Sequence, residues 1–245
     1  MSSGTFSLLV GPPNPSLDAQ SFAGAITAGQ LTPASTPVAS LVGDLAARVR
    51  QAPMSVVQLA YMRACRDFCK RSMWLKRQIT AAPVTVGQAL YNFGSDATLE
   101  VIGVSAAAIQ QQNATWIDIR SADQATFDPN QKNDIPQWYS YVPENMVVLY
   151  PTPDYTYNLR TSLICQTALN ATAVPNDLIN KFNIVIEEGA MAHLYLMDKE
   201  PWFSPQLAEK AMEAFWDGIG QARTWRDKGN QQGSVRATPR NFIAR

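Results

Sequence analysis

The chain has 245 residues, 46% of them hydrophobic, and its 20 Lys plus Arg are balanced by 20 Asp plus Glu. That is the composition of a globular chain long enough for a sizeable core, and its zero formal net charge predicts neither a nucleic-acid nor a membrane partner. No apolar run is long enough to span a bilayer and no basic-then-apolar leader opens the sequence, so it reads as a non-secreted, cytosolic product.

Residues 1–52 read as an extended N-terminal arm. Up to about residue 44 this segment is almost uncharged and rich in Pro, Ser, Ala, Gly and Thr, as in Gly11-Pro12-Pro13-Asn14-Pro15 and Leu31-Thr32-Pro33-Ala34-Ser35-Thr36-Pro37. Such a stretch buries too little apolar area to offset its own ordering entropy. It is either loose or held by neighbouring subunits.

A helix is predicted from Pro53 to Ile79, with Pro53 suited to the first turn. At about 100° per residue, Val57, Tyr61, Ala64, Cys65, Phe68, Leu75 and Ile79 share an apolar side. Arg63, Arg66, Lys70 and Arg77 fall opposite, as a basic stripe. It is a solvated face, or a contact with an acidic partner surface or nucleic acid.

From Pro83 to about Thr172 the pattern turns to strands: Leu99–Val104, Thr115–Arg120 and Met146–Tyr150. Tyr155, Tyr157, Leu159, Thr161, Leu163 and Cys165 then alternate as a two-sided strand does. Pro151-Thr152-Pro153-Asp154 reads as the turn of a hairpin joining the last two. The aromatic residues Trp138, Tyr139, Tyr141, Tyr150, Tyr155 and Tyr157 gather here, as a β core with a hydroxyl rim or as an interface patch.

Helical spacing returns after Pro175, with Leu178, Phe182, Ile186, Gly189, His193 and Leu196 on one face and Glu187 and Glu188 pointing away. Asp177 near the start complements the helix dipole. Ser204-Pro205 then reads as an N-cap followed by Pro at the first helical position of a third helix ending near Gly229. Residues 230–245 form a polar, basic tail. The fold class is therefore α+β: a discontinuous helical bundle (53–79 and 174–229) with a small antiparallel β module (80–173) inserted between its halves.

The chemistry available is narrow. His193 is the sole histidine and sits on an apolar face, where a core histidine bonded to backbone is expected. Cys65 and Cys69 lie four apart on the inner side of the first helix, with Cys165 as a third thiol, and no second ligand pair completes a metal site. Glu187 with Glu188, and Glu100 with Asp118, are the carboxylate pairs to weigh for hydrolysis. No phosphate-cradling glycine loop and no nucleophile elbow is present in the sequence. The expectation is a structural protein with no enzymatic activity, catalytic residue, cofactor or metal.

Several segments in order resemble the head-to-tail adaptor, or head completion, proteins of short-tailed bacteriophages. Ala64-Cys65-Arg66-Asp67-Phe68-Cys69-Lys70-Arg71-Ser72-Met73-Trp74 is similar to the family's first-helix pattern. Asn145–Tyr150 with Pro151-Thr152-Pro153-Asp154 resembles its strand and P-x-P turn. Val174-Pro175-Asn176-Asp177-Leu178, Glu188–Met197, Pro201-Trp202 and the tail from Arg236 to Phe242 continue the likeness, over roughly residues 53–245. The N-terminal arm departs from the family's compact start.

The resemblance implies a ring, commonly of twelve subunits, docked under the portal protein, sealing the head and offering a platform to nozzle or fibre tail proteins. It implies a place in the neck of the virion after assembly in the host cytoplasm. On the tail, Arg236, Arg240, Phe242 and Ile243 become candidates for the portal or tail contact. Arg63, Arg66, Lys70 and Arg77 become candidates for a channel surface touching packaged DNA non-specifically, or for a subunit interface. Another tail component, such as a tube or fibre-attachment protein, is the alternative, and a cell-wall-degrading hydrolase a more distant one.

Overall fold

A computed structural model describes residues 8–11, 22–24, 34–93, 98–111, 114–123, 127, 132–142 and 145–228. Its elements, in chain order, are β1 (Leu8–Gly11), β2 (Phe22–Gly24), β3 (Ser35–Pro37), α1 (Val38–Leu41), α2 (Gly43–Arg48), α3 (Met54–Ser72), β4 (Lys76–Val84), β5 (Leu90–Asn92), β6 (Leu99–Gln110), β7 (Trp116–Ser121), β8 (Trp138–Val142), β9 (Met146–Tyr150), β10 (Tyr157–Thr167), β11 (Ala173–Pro175), α4 (Asn176–Tyr195) and α5 (Pro205–Asp227). The chain is α+β, as its periodicities predict.

The helical part is built from α3, α4 and α5. Helix α4 lies between the other two, and α3 also leans on β10. Phe182 on α4 is the hub. Its ring packs 4.8 Å from Phe68 of α3, 4.9 Å from Trp74 just beyond α3, and 5.8 Å from Trp225 of α5. Helices α4 and α5 approach closely because two glycines face large side chains. A methyl group on Gly189 would lie 2.7 Å from the Phe215 ring, and Gly218 faces Val185. The bundle halves are thus far apart in sequence and joined in space.

The first helix is shorter than its apolar spacing predicts. Met73 adopts the left-handed conformation (φ 51°, ψ 32°) and its N–H donates to the Cys69 carbonyl, ending α3. Leu75 and Ile79 satisfy a helical spacing of four, but they also satisfy a strand's spacing of two. The chain takes the second course: Leu75 and Ile79 are buried, Lys76 and Gln78 exposed, and Arg77 points inward between them.

The β component is much larger than the small module expected. It is a nine-stranded sheet in the order β2-β1-β5-β9-β8-β7-β6-β10-β4. It is also not purely antiparallel, since β7 and β8 run parallel through Arg120↔Trp138 and Ser121↔Tyr139. Its backbone is the pairing of β6 with β10, from Asn158↔Gln110 to Thr167↔Leu99. The alternating residues Tyr157, Leu159, Thr161, Leu163 and Cys165 all face inward. Four sources of strand escaped the sequence pattern: the first half of β4 reads as helix, β5 is only three residues, β8 reads only as an aromatic cluster, and β1 and β2 come from the N-terminal segment.

The expected hairpin across Pro151–Asp154 does not form. Strand β9 pairs with β5 and β8, whereas β10 pairs with β6 and β4. The intervening loop is held elsewhere: Gly87 N–H donates to the Pro153 carbonyl and Asp134 N–H to the Thr152 carbonyl. Those bonds satisfy the loop's carbonyls without folding β10 back onto β9.

The expected arm is not extended throughout. Strand β3 pairs with β11 through Thr36↔Val174, and the Asn176 N–H donates to the Ala34 carbonyl. Val38, Val42, Leu45 and Val49 are then buried against the bundle. Four valine and leucine side chains spaced three or four apart supply the apolar area that the preceding Pro-rich stretch lacks. The remaining arm residues, 1–7, 12–21 and 25–33, lie outside the described residues.

Removing the aromatic hub should open the bundle. Phe182→Ala is expected to cost about 3–5 kcal/mol, the usual range for a buried aromatic truncated to Ala. Urea unfolding of the variant against the parent measures this; a loss under about 1 kcal/mol would show that the bundle does not depend on the hub.

Candidate interaction surface

The residues singled out for chemistry mostly prove to be structural. Cys65, Cys69 and Cys165 are all buried. Burial pushes the Cys69 thiol up to about 12 and the Cys65 thiol well above its ordinary value, so neither is a thiolate nucleophile near neutral pH. Among the described residues no group of His, Cys, Asp and Glu is placed to hold a metal ion. Nor, among them, is any helix long and apolar enough to cross a membrane.

His193 does not bond backbone in the core. It is partly exposed, and its Nε2 lies 3.4 Å from the Asp67 carboxylate of α3. It sits at the edge of the α4 apolar face, where the neighbouring helix offers a carboxylate.

The two carboxylate pairs separate. Glu188 pairs with Arg48 at 3.3 Å. Glu187, expected to point away from the core, is instead 9% exposed and turned inward. It accepts a hydrogen bond from Asn183 Nδ2, and Asn183 Oδ1 in turn accepts one from the Tyr61 hydroxyl at 2.7 Å. A polar chain thus links α3 to α4 beside the hydrophobic contact. Desolvation raises the Glu187 carboxyl above the ordinary carboxylate range, more than the bond from Asn183 and the charge of Arg48 lower it. Glu100 and Asp118 are on β6 and β7, but Asp118 sits opposite Ala108. Eight residues separate Ala108 from Glu100 along β6, about 26 Å at the rise of a strand. They form no catalytic pair.

The aromatic group is divided in the same way. Tyr139 and Tyr157 belong to the buried core. The Tyr141 hydroxyl donates to the Val101 carbonyl at 3.0 Å, and Tyr150 stacks on Phe127 at 4.4 Å. Trp138 packs 6.1 Å from Tyr150, and only Tyr155, half exposed, offers its ring to solvent.

The basic stripe is real but smaller than the spacing indicates. Arg63 and Lys70 are exposed on the outer side of α3. Arg66, on the same side, is neutralised by Glu100 at 2.8 Å, and Glu100 also accepts a bond from Gln166 at 2.8 Å. Burial tends to raise the Glu100 carboxyl, but the bonds from Arg66 and Gln166 and the Arg66 charge outweigh it and lower the carboxyl overall. Arg77 leaves the stripe altogether. As a residue of β4 it turns toward the first turn of α4 and pairs with Asp177 at 3.1 Å.

Arg77 instead lines a cleft of about 540 Å³ with Trp74, Lys76, Asp177, Asn180, Lys181 and Arg226. This cleft holds four cationic side chains and one carboxylate, which is no acid–base pair. The tail candidates Arg236, Arg240, Phe242 and Ile243 lie outside the described residues. The features that stand out among the described residues are a basic face on α3 and a cationic cleft where α3 and α5 end and α4 begins.

The model of the SU10 adaptor protein family matches residues 35–240. The chain belongs to the SU10 adaptor protein family. No curated protein matches the chain. The family match begins where β3 begins, so it takes in the segment buried against the bundle. As an SU10 adaptor the chain is a phage structural protein, and its place is in the virion. The family resemblance read from Phe68 and Trp74 now has a physical basis, because both rings rest on Phe182.

Glu187 generates a pH test. A carboxyl whose folded-state pKa is raised binds its proton more tightly folded than unfolded. Its contribution is fully present below the ordinary carboxylate value and is lost as pH rises through the raised one. Relative to Glu187→Gln, the parent chain should therefore gain stability as pH falls from 7 toward 4.5, as read by urea midpoints across that range. A difference that stays flat would remove Glu187 as a titrating group.

Proposed function

We propose that this chain is the head-to-tail adaptor of a short-tailed phage, a ring of identical subunits, commonly twelve, docked beneath the portal protein. The ring seals the DNA-filled head and gives nozzle or fibre proteins their platform. The observation that carries this reading is the family match over residues 35–240, which takes in the whole bundle, every strand of the sheet except β1 and β2, and most of the tail.

The architecture is consistent with such a part. The described surface offers charged helix faces and a cationic cleft rather than paired catalytic groups. Residues 229–245 carry three arginines and no Asp or Glu. Every buried residue of α5 precedes them. On the tail, Arg236, Arg240, Phe242 and Ile243 combine the cationic and apolar groups that anchor protein interfaces, which supports a partner contact there.

Removal of residues 231–245 tests the role of the tail. The truncated chain is expected to keep the thermal midpoint of the full chain and to lose binding to isolated portal rings, measured by co-sedimentation. Undiminished portal binding would assign docking to another surface.

A further inference from the structure

The outer faces of α3 and α5 carry opposite charge, and a single copy satisfies neither. At about 100° per residue, Leu59, Arg63, Arg66 and Lys70 line the side of α3 opposite its buried residues. Arg63 and Lys70 are exposed there, and Leu59 is 38% exposed. On α5, the buried residues Ala208, Ala211, Phe215, Ile219 and Ala222 set the inner side. Glu209, Glu213 and Asp217 project from the opposite side, all exposed, with a single exposed cation, Lys210, beside them, so the face is acidic on balance. Among the described residues, none of Arg63, Lys70, Glu209, Glu213 and Asp217 has an ion-pair partner.

The two faces fit each other in length as well as in sign. Arg63 to Lys70 spans about 10 Å of helix and Glu209 to Asp217 about 12 Å, at 1.5 Å per residue. They also sit on different helices of one copy, α3 packed on α4 and β10, α5 packed on α4. A contact that uses one face from each of two copies is heterologous, and repetition of a heterologous contact closes into a ring when the rotation permits.

We propose that the Leu59–Arg63–Lys70 face of α3 docks against the Glu209–Glu213–Asp217 face of α5 in the next copy of this chain. This rests on the ring reading above and names the surfaces that build the ring. The occupant is a second copy rather than a nucleic acid for two reasons. A duplex would leave the acidic face of α5 without a partner. It would also find only two unpaired cations, whereas a helix face of opposite charge uses both.

Charge reversal decides it. In the presence of portal rings, Arg63→Glu with Lys70→Glu is expected to raise the concentration needed for ring assembly by about tenfold or more, as like-charge contacts do. Glu213→Lys with Asp217→Lys should do the same, and a chain carrying all four changes should recover assembly. Circular dichroism should show all three variants folded, since the four positions are exposed. Mass photometry reads the assemblies.

Rings that form equally well in both two-site variants would overturn the proposal. So would intact rings accompanied by loss of salt-sensitive DNA binding in the Arg63→Glu, Lys70→Glu chain, which would assign the basic face to DNA. A parent chain that forms no ring, alone or with the portal, would instead overturn the ring reading itself.

Discussion

Helix α3, separated from α4 and α5 by about a hundred residues that carry most of the sheet, meets both of them on one phenylalanine. Phe182 touches Phe68, Trp74 and Trp225, and so holds both ends of α3's C-terminal turn and the last turns of α5 against the middle of the molecule. Aromatic contacts at 4.8–5.8 Å bury large area and fix relative orientation. The Tyr61–Asn183–Glu187 chain reinforces the same α3–α4 contact with directional bonds. Without this junction the bundle halves would have only the sheet between them in common.

That junction also explains where the surfaces lie. With the inner sides of α3 and α5 consumed by α4, their charged sides must face out. The close approach at Gly189 and Gly218 keeps α4 and α5 tightly paired. The C-terminal end of α5 borders the cationic cleft, which Arg226 lines. A protein organised for assembly uses its core to hold such surfaces in place.

Much of this was legible in the residues themselves. The starts of α3 and α4, the Pro205 start of α5, the strands around residues 99–104 and 146–150 and the burial of the three cysteines follow from spacing and turn chemistry alone. Where the residues misled, two periods fitted equally well. Leu75 and Ile79 suit a helix or a strand, and the left-handed Met73 decides between them. Glu187 lies at the boundary of a helix face, and only the partner Asn183, itself held by Tyr61, makes its inward turn favourable.

The sequence by itself determined the class of the protein: apolar stripes of helical and strand period, no catalytic constellation, and an ordered series of motifs shared with adaptor proteins. These are local properties, set by residue type and spacing within one element. Only the tertiary structure decided which strands are neighbours, that residues 35–49 belong to the core, and that Arg66 and Arg77 are neutralised by Glu100 and Asp177 while Arg63 and Lys70 are not. Strand order and ion pairing join residues tens of positions apart. Their energies depend on long-range packing that no local pattern encodes.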